Sequence, residues 1–193
     1  MRRPTMAAET APIHEQVSDT LHQPVQDRPG LFDFPNPVNE YAARTVAGGV
    51  LLTSIVTLAL SLAVDHHWLW LTAPLAYGFT ARVLTGPTLS PLGQLASRVI
   101  GPRIGSKPTA GPPKRFAQTI GMIVTVSALI ATASGSFGLA QVLLGLIVVA
   151  AALESLAGYC IGCTIFAALM RRGYIPEATC EACANVGLRL QNG

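Results

Sequence analysis

All four cysteines of the 193-residue chain lie near its C-terminus, as two Cys-x-x-Cys pairs. Cys160 and Cys163 form the first pair, and Cys180 and Cys183 form the second after a 16-residue spacer. Four thiolates at this spacing are typical of a tetrahedral zinc site. Each pair could instead cycle between dithiol and disulfide, with the second pair relaying electrons or sulfur to the first. Inert packing of the thiols as small apolar groups is a third interpretation that the spacing leaves open.

The first cysteine pair follows a long apolar run that must break. A continuous helix from Phe137 to Arg172 would be about 54 Å long, whereas the hydrocarbon core of a bilayer is roughly 30 Å thick. We therefore expect a break at Gly158 or Gly162, followed by a short helix. The first pair would then lie at the membrane face near the N-terminus of that helix, where the helix dipole lowers the pKa of a thiol.

Glu154 stands inside this apolar run, where a charged side chain is costly. Arg44 and Arg82 lie at matching depth on the first and second predicted spans, so we expect an intramembrane ion pair with one of them. A proton-handling carboxylate beside the cysteines is the alternative. On an unbroken helix, however, Glu154 lies about 120° from Cys160 and about 180° from Cys163, which disfavours direct proton exchange without a kink.

The composition predicts a membrane protein. Half of the residues are hydrophobic and only 12% are charged, about half the charged fraction of a typical soluble domain. The fold class that we predict is all-α and polytopic, with four transmembrane helices in two antiparallel hairpins. The predicted spans are about 44–64, 68–84, 116–134 and 137–157.

The remaining segments complete this domain organisation. Residues 1–35 are predicted to be a disordered tail, because they hold too few apolar residues to form a core. The membrane domain would occupy residues 36–172, with Asn36 as the N-cap of the first helix. A short amphipathic helix, capped by Ser90, is predicted at about 91–100 in the central loop, lying on the membrane surface or packed over the other helices. Residues 173–193 would form a cysteine-containing cytoplasmic tail.

The positions of the basic residues predict the orientation. The 13 Lys and Arg residues fall in the N-terminal 44 residues, in the connection 82–115 and after residue 170, and neither short turn has one. The basic side of a membrane protein is normally cytoplasmic, so both termini and all four cysteines should face the cytoplasm. Nucleic-acid binding is not expected, because no basic patch is interleaved with aromatic residues.

Four stretches resemble a widespread family of bacterial membrane proteins that is catalogued as a domain of unknown function. They are FPNPVNEYAAR, GPTLSPLGQLASRVIGPR, GPPKRFAQTIG and ESLAGYCIGCTIFAALMRRGYIPEATCEAC, and the resemblance covers about residues 31–186. It implies a four-span protein of the bacterial plasma membrane with both cysteine pairs as its signature, and it implies no activity. The positions carried over are Cys160, Cys163, Cys180, Cys183, Asn36 and Arg115.

Two functional hypotheses follow from the cysteines. The leading one is a membrane thiol-redox or sulfur-handling component, with Cys160 and Cys163 as the reactive pair, Cys180 and Cys183 as relay, and a soluble cytoplasmic thiol or sulfur-transfer protein as partner. The alternative is a non-enzymatic membrane scaffold whose four cysteines bind a structural zinc ion. A small transporter is a weaker hypothesis, because one intramembrane acid is present and no pair of broken helices is evident.

Overall fold

The computed structural model describes residues 38–100, 103, 105, 107–176 and 179. The helices in these ranges are α1 (Glu40–Ala63), α2 (Thr72–Thr85), α3 (Pro91–Leu95), α4 (Gly111–Ala133), α5 (Phe137–Ala152) and α6 (Ile161–Arg171). A 3₁₀ helix (His66–Leu71) precedes α2, and π-helical turns extend α3 (Ala96–Ile100) and α5 (Leu153–Ala157). Strands β1 (Val38–Asn39) and β2 (Pro108–Thr109) pair in antiparallel fashion. The predicted tail 1–35, Asn36, Cys180 and Cys183 lie outside the described residues.

Helix α1 is capped by Asn39, three residues beyond the predicted cap Asn36. The side chain of Asn39 accepts a hydrogen bond from the Tyr41 backbone N–H at 3.0 Å, which satisfies one of the free donors of the first helical turn. Its amide nitrogen donates to the Gly105 carbonyl at 3.0 Å. Asn39 therefore ends β1, starts α1 and ties the central connection to the membrane domain.

Among the described residues, three helices are long and apolar enough to cross a membrane: Glu40–Ala63, Gly111–Ala133 and Phe137–Ala157. Their buried faces include hydroxyl side chains, such as Ser54 and Thr125, while large aliphatic side chains point outward. Exposed aliphatic surface on long apolar helices is the pattern of a lipid-facing bundle. The protein is therefore an all-α membrane protein in its overall construction.

The predicted second span, 68–84, consists of two helical types. The 3₁₀ helix His66–Leu71 changes to α-helix at Thr72, and α2 has 14 residues, fewer than the roughly 20 that span a hydrocarbon core. Pro74 lies in the first turn of α2, where its missing N–H costs nothing. The irregularity of this span is therefore a junction between two helix types near its start.

Close contacts between small residues of one helix and side chains of the next stabilise the bundle. Helix α4 is central, since it packs against α2, α5 and α6, while α1 packs against α5. A Cβ added at Gly121 of α4 would overlap the Phe79 ring of α2. Small residues at such positions let helices approach closely, and packing of this kind is a main source of stability within a membrane.

A buried arginine joins α2 to α3 and α4. Arg82 is only 4% exposed, and its Nε donates to Gln118 Oε1 at 2.6 Å while Nη1 donates to Ser90 Oγ at 3.2 Å. Ser90 also caps α3, as its sequence predicts, by accepting from the Gly93 N–H at 3.2 Å. One face of the short helix segment therefore packs on the bundle, while Leu95 on the other face is 49% exposed.

Candidate functional site

The apolar run breaks at Gly158, one of the two positions that the sequence predicts. Gly158 has a φ of 67° and a ψ of 14°, a left-handed conformation that glycine adopts without steric cost. The turn is closed by a 3.0 Å hydrogen bond from the Tyr159 N–H to the Leu153 carbonyl. Arg44 Nη2 donates to the carbonyls of Ser155 and Leu156 at 3.3 and 3.0 Å, so this guanidinium caps the end of α5.

The first cysteine pair lies immediately after this break. Cys160 is the N-cap residue of α6, and Cys163 lies in the first turn of that helix. Both are free thiols, Cys160 buried and Cys163 partly exposed. Gly162, between them, faces α4 so closely that an added Cβ would lie 2.5 Å from the Ala117 Cβ. The first turn of α6, which carries Cys163, is therefore held against the N-terminal half of α4.

Glu154 pairs with Lys114, and the predicted partners Arg44 and Arg82 bind other groups. Lys114 Nζ lies 2.6 Å from Glu154 Oε1, and the two side chains are 9% and 23% exposed. Arg44 caps carbonyls at the end of α5 and Arg82 binds Gln118 and Ser90. The reason for the difference is that α4 begins at Gly111, ahead of the predicted start at residue 116, so Lys114 belongs to the helix.

The kink brings Lys114 and Glu154 into electrostatic contact with both thiols. A hydrogen bond from the Cys163 thiol lowers the pKa of Cys160, and the positive charge of Lys114 lowers it further, against the effects of burial and of Glu154. The pKa of Cys163 is raised by the same hydrogen bond, by burial and by the charge on Cys160. Cys160 is therefore the first of the pair to become a thiolate, which is the reactive form of cysteine.

Cys160 also lines a cavity of about 340 Å³ among helices α1, α2, α4, α5 and α6. Most of its wall is apolar. Its polar lining residues are Arg82, Gln118 and Glu154, close to the cytoplasmic end that the sequence predicts. The site thus combines an asymmetric thiol pair, a buried ion pair and an apolar cavity.

Residues 38–171 match a family described as Domain of unknown function (DUF4395). The chain belongs to the DUF4395 family. The resemblance to a family catalogued as a domain of unknown function is therefore confirmed. Searches of curated proteins and of solved structures returned no match. The DUF4395 match runs from β1 to the end of α6, so it includes Cys160 and Cys163 and ends before Cys180 and Cys183.

The predicted zinc ligands are only partly described in this DUF4395 chain. Among residues 38–100, 103, 105, 107–176 and 179, no cluster of three or more His, Cys, Asp and Glu side chains forms a metal site. Cys180 and Cys183 lie outside those residues, so convergence of four sulfurs stays a prediction. The other described position carried over from the resemblance, Arg115, donates from Nε to the Val83 carbonyl at 3.2 Å and joins α4 to α2.

Lys114 and Gln118 are the site residues of the DUF4395 domain that the sequence interpretation missed. Both lie on α4, one turn apart, and they bind Glu154 and Arg82 respectively. The signal for Lys114 was available, because Gly111 is followed by two prolines, and proline is favoured in the first turn of a helix. The i, i+4 spacing then places Lys114 and Gln118 on the same helix face.

Proposed function

We propose that this DUF4395 protein is a membrane-bound thiol–disulfide exchange component in which Cys160 and Cys163 form the redox pair. The observation that carries this proposal is the unequal environment of the two thiols. Cys160 is buried at a helix N-cap and has the lower pKa, while Cys163 is partly exposed three residues later. A pair with one accessible sulfur and one easily ionised sulfur suits thiol–disulfide exchange.

The exchange proceeds in two steps. A thiolate of a soluble cytoplasmic dithiol protein attacks the Cys163 sulfur of the oxidised pair, forming a mixed disulfide and releasing Cys160 as a thiolate. The second thiol of the partner then loses its proton and attacks the partner's own sulfur in the mixed disulfide. The bond to Cys163 breaks, which frees Cys163 and leaves a disulfide in the partner. The partner loses two electrons and two protons, and the Cys160–Cys163 pair gains them. A thiol of lower pKa is the better leaving group, which favours release of Cys160 in the first step.

The ion pair beside the thiols supports this assignment. Lys114 and Glu154 hold α4 against the end of α5 at the point where α6 begins. Their opposite charges act on the Cys160 thiol with opposite sign. We assign them as positioning residues that set the ionisation of Cys160 and keep the kink in place, without a direct role in the exchange.

The location that we infer is the bacterial plasma membrane, crossed four times, with both termini and the cysteines on the cytoplasmic side. The distribution of Lys and Arg supports this orientation, and the segment of 3₁₀ helix and α2 would supply the fourth crossing. A membrane-impermeant maleimide should label Cys163 after permeabilisation of cells and leave it unlabelled in intact cells. Equal labelling in both preparations would reject this orientation.

The redox proposal is tested on a variant that retains only the first cysteine pair, Cys180→Ser/Cys183→Ser. After equilibration in buffers of graded reduced and oxidised glutathione, alkylation and intact-mass measurement should reveal a reversible two-electron transition. Further substitution of Cys160→Ser should abolish the intramolecular disulfide. A pair that stays fully reduced in excess oxidised glutathione would reject the proposal.

A zinc-binding membrane scaffold is the second candidate function. The spacing of the two Cys-x-x-Cys pairs supports it, because the pairs match the ligand spacing of four-cysteine zinc sites. Elemental analysis of the purified full chain should then give one equivalent of zinc, and alkylation of the thiols should require a chelator. The Cys180→Ser/Cys183→Ser variant should lose that metal. Absence of zinc from the full chain would reject this candidate.

A further inference from the structure

The cavity beside Cys160 has a rim that faces the outside of the helix bundle. Leu146 and Val149 of α5 line it, and each is 57% exposed. Ile165 of α6 also lines the cavity and is 42% exposed. Leu146 and Val149 lie on a helix that is apolar and long enough to span a membrane, so they face hydrocarbon chains. A molecule that enters past this rim comes from the lipid phase.

The cavity has a fixed cation at its polar end. The Arg82 guanidinium is oriented by Gln118 and Ser90 and lies 4.5 Å over the Phe79 ring. A guanidinium carries five N–H donors, and two of them make these bonds. This group is suited to binding an oxygen acceptor on a ligand that is otherwise apolar.

The cavity volume suits an aromatic or quinonoid ring. An apolar cavity of about 150 Å³ holds one benzene molecule, whereas this one measures about 340 Å³. The apolar part of the wall includes Val50, Val124 and Ile147, and Cys160 also lines the cavity. A substituted ring with carbonyl oxygens could place one oxygen toward Arg82 and its ring beside the sulfur.

We propose that this cavity binds a lipid-soluble quinone and that the Cys160–Cys163 dithiol reduces it. This inference rests on the proposed redox function and names the electron acceptor. The two S–H bonds break and one S–S bond forms, which releases two electrons and two protons. The two carbonyl oxygens of the quinone take them and become the hydroxyls of a quinol. A soluble dithiol then attacks the partly exposed Cys163 sulfur and returns the pair to the dithiol state. Cys160 therefore reacts with the lipid-soluble quinone, and Cys163 reacts with the aqueous partner.

The experiment uses decylubiquinone as the probe and Cys180→Ser/Cys183→Ser as the parent chain. The parent is reduced, freed of reductant and mixed anaerobically with decylubiquinone in detergent, and quinol is measured by absorbance. We expect one quinol per chain, and none after Cys160→Ser. Ala150 of α5 lines the cavity, so Ala150→Phe should fill it and slow quinol formation at least tenfold. Ala133→Phe, at an exposed position at the end of α4, should leave the rate unchanged.

A second measurement does not depend on the folding of the Ala150→Phe variant. Decylubiquinone should raise the Tm of the oxidised parent, since a ligand of the folded state stabilises it, and decanol, which has the same tail without the ring, should not. Equal stabilisation by decanol would mean that the cavity holds an acyl chain and would overturn the inference. So would equal rates in Ala150→Phe and Ala133→Phe.

The two proposals can fail separately. If the Cys160–Cys163 pair cycles in glutathione buffers but forms no quinol, the quinone inference is overturned and the proposed redox function stands. If the pair does not cycle in glutathione buffers, the proposed function fails, and the quinone inference fails with it. Retention of glutathione cycling by Ala150→Phe, with loss of quinol formation, supports both.

Discussion

Lys114 Nζ lies 2.6 Å from Glu154 Oε1, and this contact joins the first turn of α4 to the π-helical turn that ends α5. Breaking a buried pair leaves one uncompensated charge, which typically costs about 3–5 kcal/mol. We expect Glu154→Gln to lower the free energy of unfolding by about 3 kcal/mol, at the low end of that range because the Glu154 side chain is 23% exposed. The double variant Lys114→Met/Glu154→Gln should be more stable than Glu154→Gln alone, because no charge is left unpaired. Equilibrium unfolding in mixed micelles measures both.

The pair between Lys107 and Glu40 provides the control. Its atoms are 3.0 Å apart, but the Lys107 side chain is 62% exposed. Exposed ion pairs contribute about 0–1 kcal/mol, so Lys107→Met should change the free energy of unfolding by no more than that. Equal costs for Lys107→Met and Glu154→Gln would show that burial of the inner pair does not matter.

Removal of either charge next to Cys160 should shift the pH dependence of its alkylation, and the two shifts should be in opposite directions. The pKa of Cys160 lies below its usual value of 9.0, chiefly through the hydrogen bond from Cys163. Lys114 lowers this pKa and Glu154 raises it. Because the thiolate is the nucleophile, Glu154→Gln should shift the alkylation profile of Cys160 to lower pH, and Lys114→Met should shift it to higher pH.

The measurement is the rate of iodoacetamide alkylation at Cys160 between pH 6 and 10, an interval that includes the usual thiol pKa of 9.0. Mass spectrometry of the Cys180→Ser/Cys183→Ser chain identifies the labelled residue. At neutral pH, Cys160 should react faster in Glu154→Gln than in the parent, and slower in Lys114→Met. Profiles that coincide, or that move in the same direction, would contradict the electrostatic account.

The close approach of α6 to α4 depends on the absence of a side chain at Gly162. An added Cβ would lie 2.6 Å from the Ala117 Cα, and a backbone atom cannot move aside as a flexible side chain can. We expect Gly162→Ala to lower the free energy of unfolding by about 1–3 kcal/mol, the usual cost of overpacking. It should also increase the alkylation rate of Cys160, because α6 is displaced from the bundle.

Gly145 of α5 is the matched control for this substitution. A Cβ added at Gly145 meets nothing within 4 Å, and alanine is favoured over glycine in a helix by about 1 kcal/mol. Gly145→Ala should therefore be neutral or stabilising by the same unfolding assay. A Gly162→Ala chain as stable as Gly145→Ala would disprove the close contact between α4 and α6.

The long apolar runs made the helical framework predictable. A run longer than the bilayer forces a break, and glycine is the residue that tolerates a left-handed turn, so Gly158 could be named in advance as one of two candidate positions, with Gly162 as the other. The capping of α3 by Ser90 follows from local sequence in the same way. These features depend on residues close together in the chain.

The remaining features depend on contacts between distant segments. Asn36 and Asn39 are both suitable caps by local sequence, and Asn39 lies opposite Pro108 where β1 pairs with β2. The partner of Glu154 depends on where α4 begins and on the rotation that the π-helical turn introduces at the end of α5. Neither the register of a short strand pair nor a local change in helical pitch has a reliable sequence signature.

The roles of the two cysteines are tested most directly by mapping the first mixed disulfide. The oxidised Cys180→Ser/Cys183→Ser chain is mixed with reduced glutathione, quenched with acid within seconds, alkylated and analysed by peptide mass spectrometry. We predict glutathione attached to Cys163 and alkylated Cys160 as the released thiol. Glutathione attached predominantly to Cys160, or a chain in which no Cys160–Cys163 disulfide can be formed, would contradict the account.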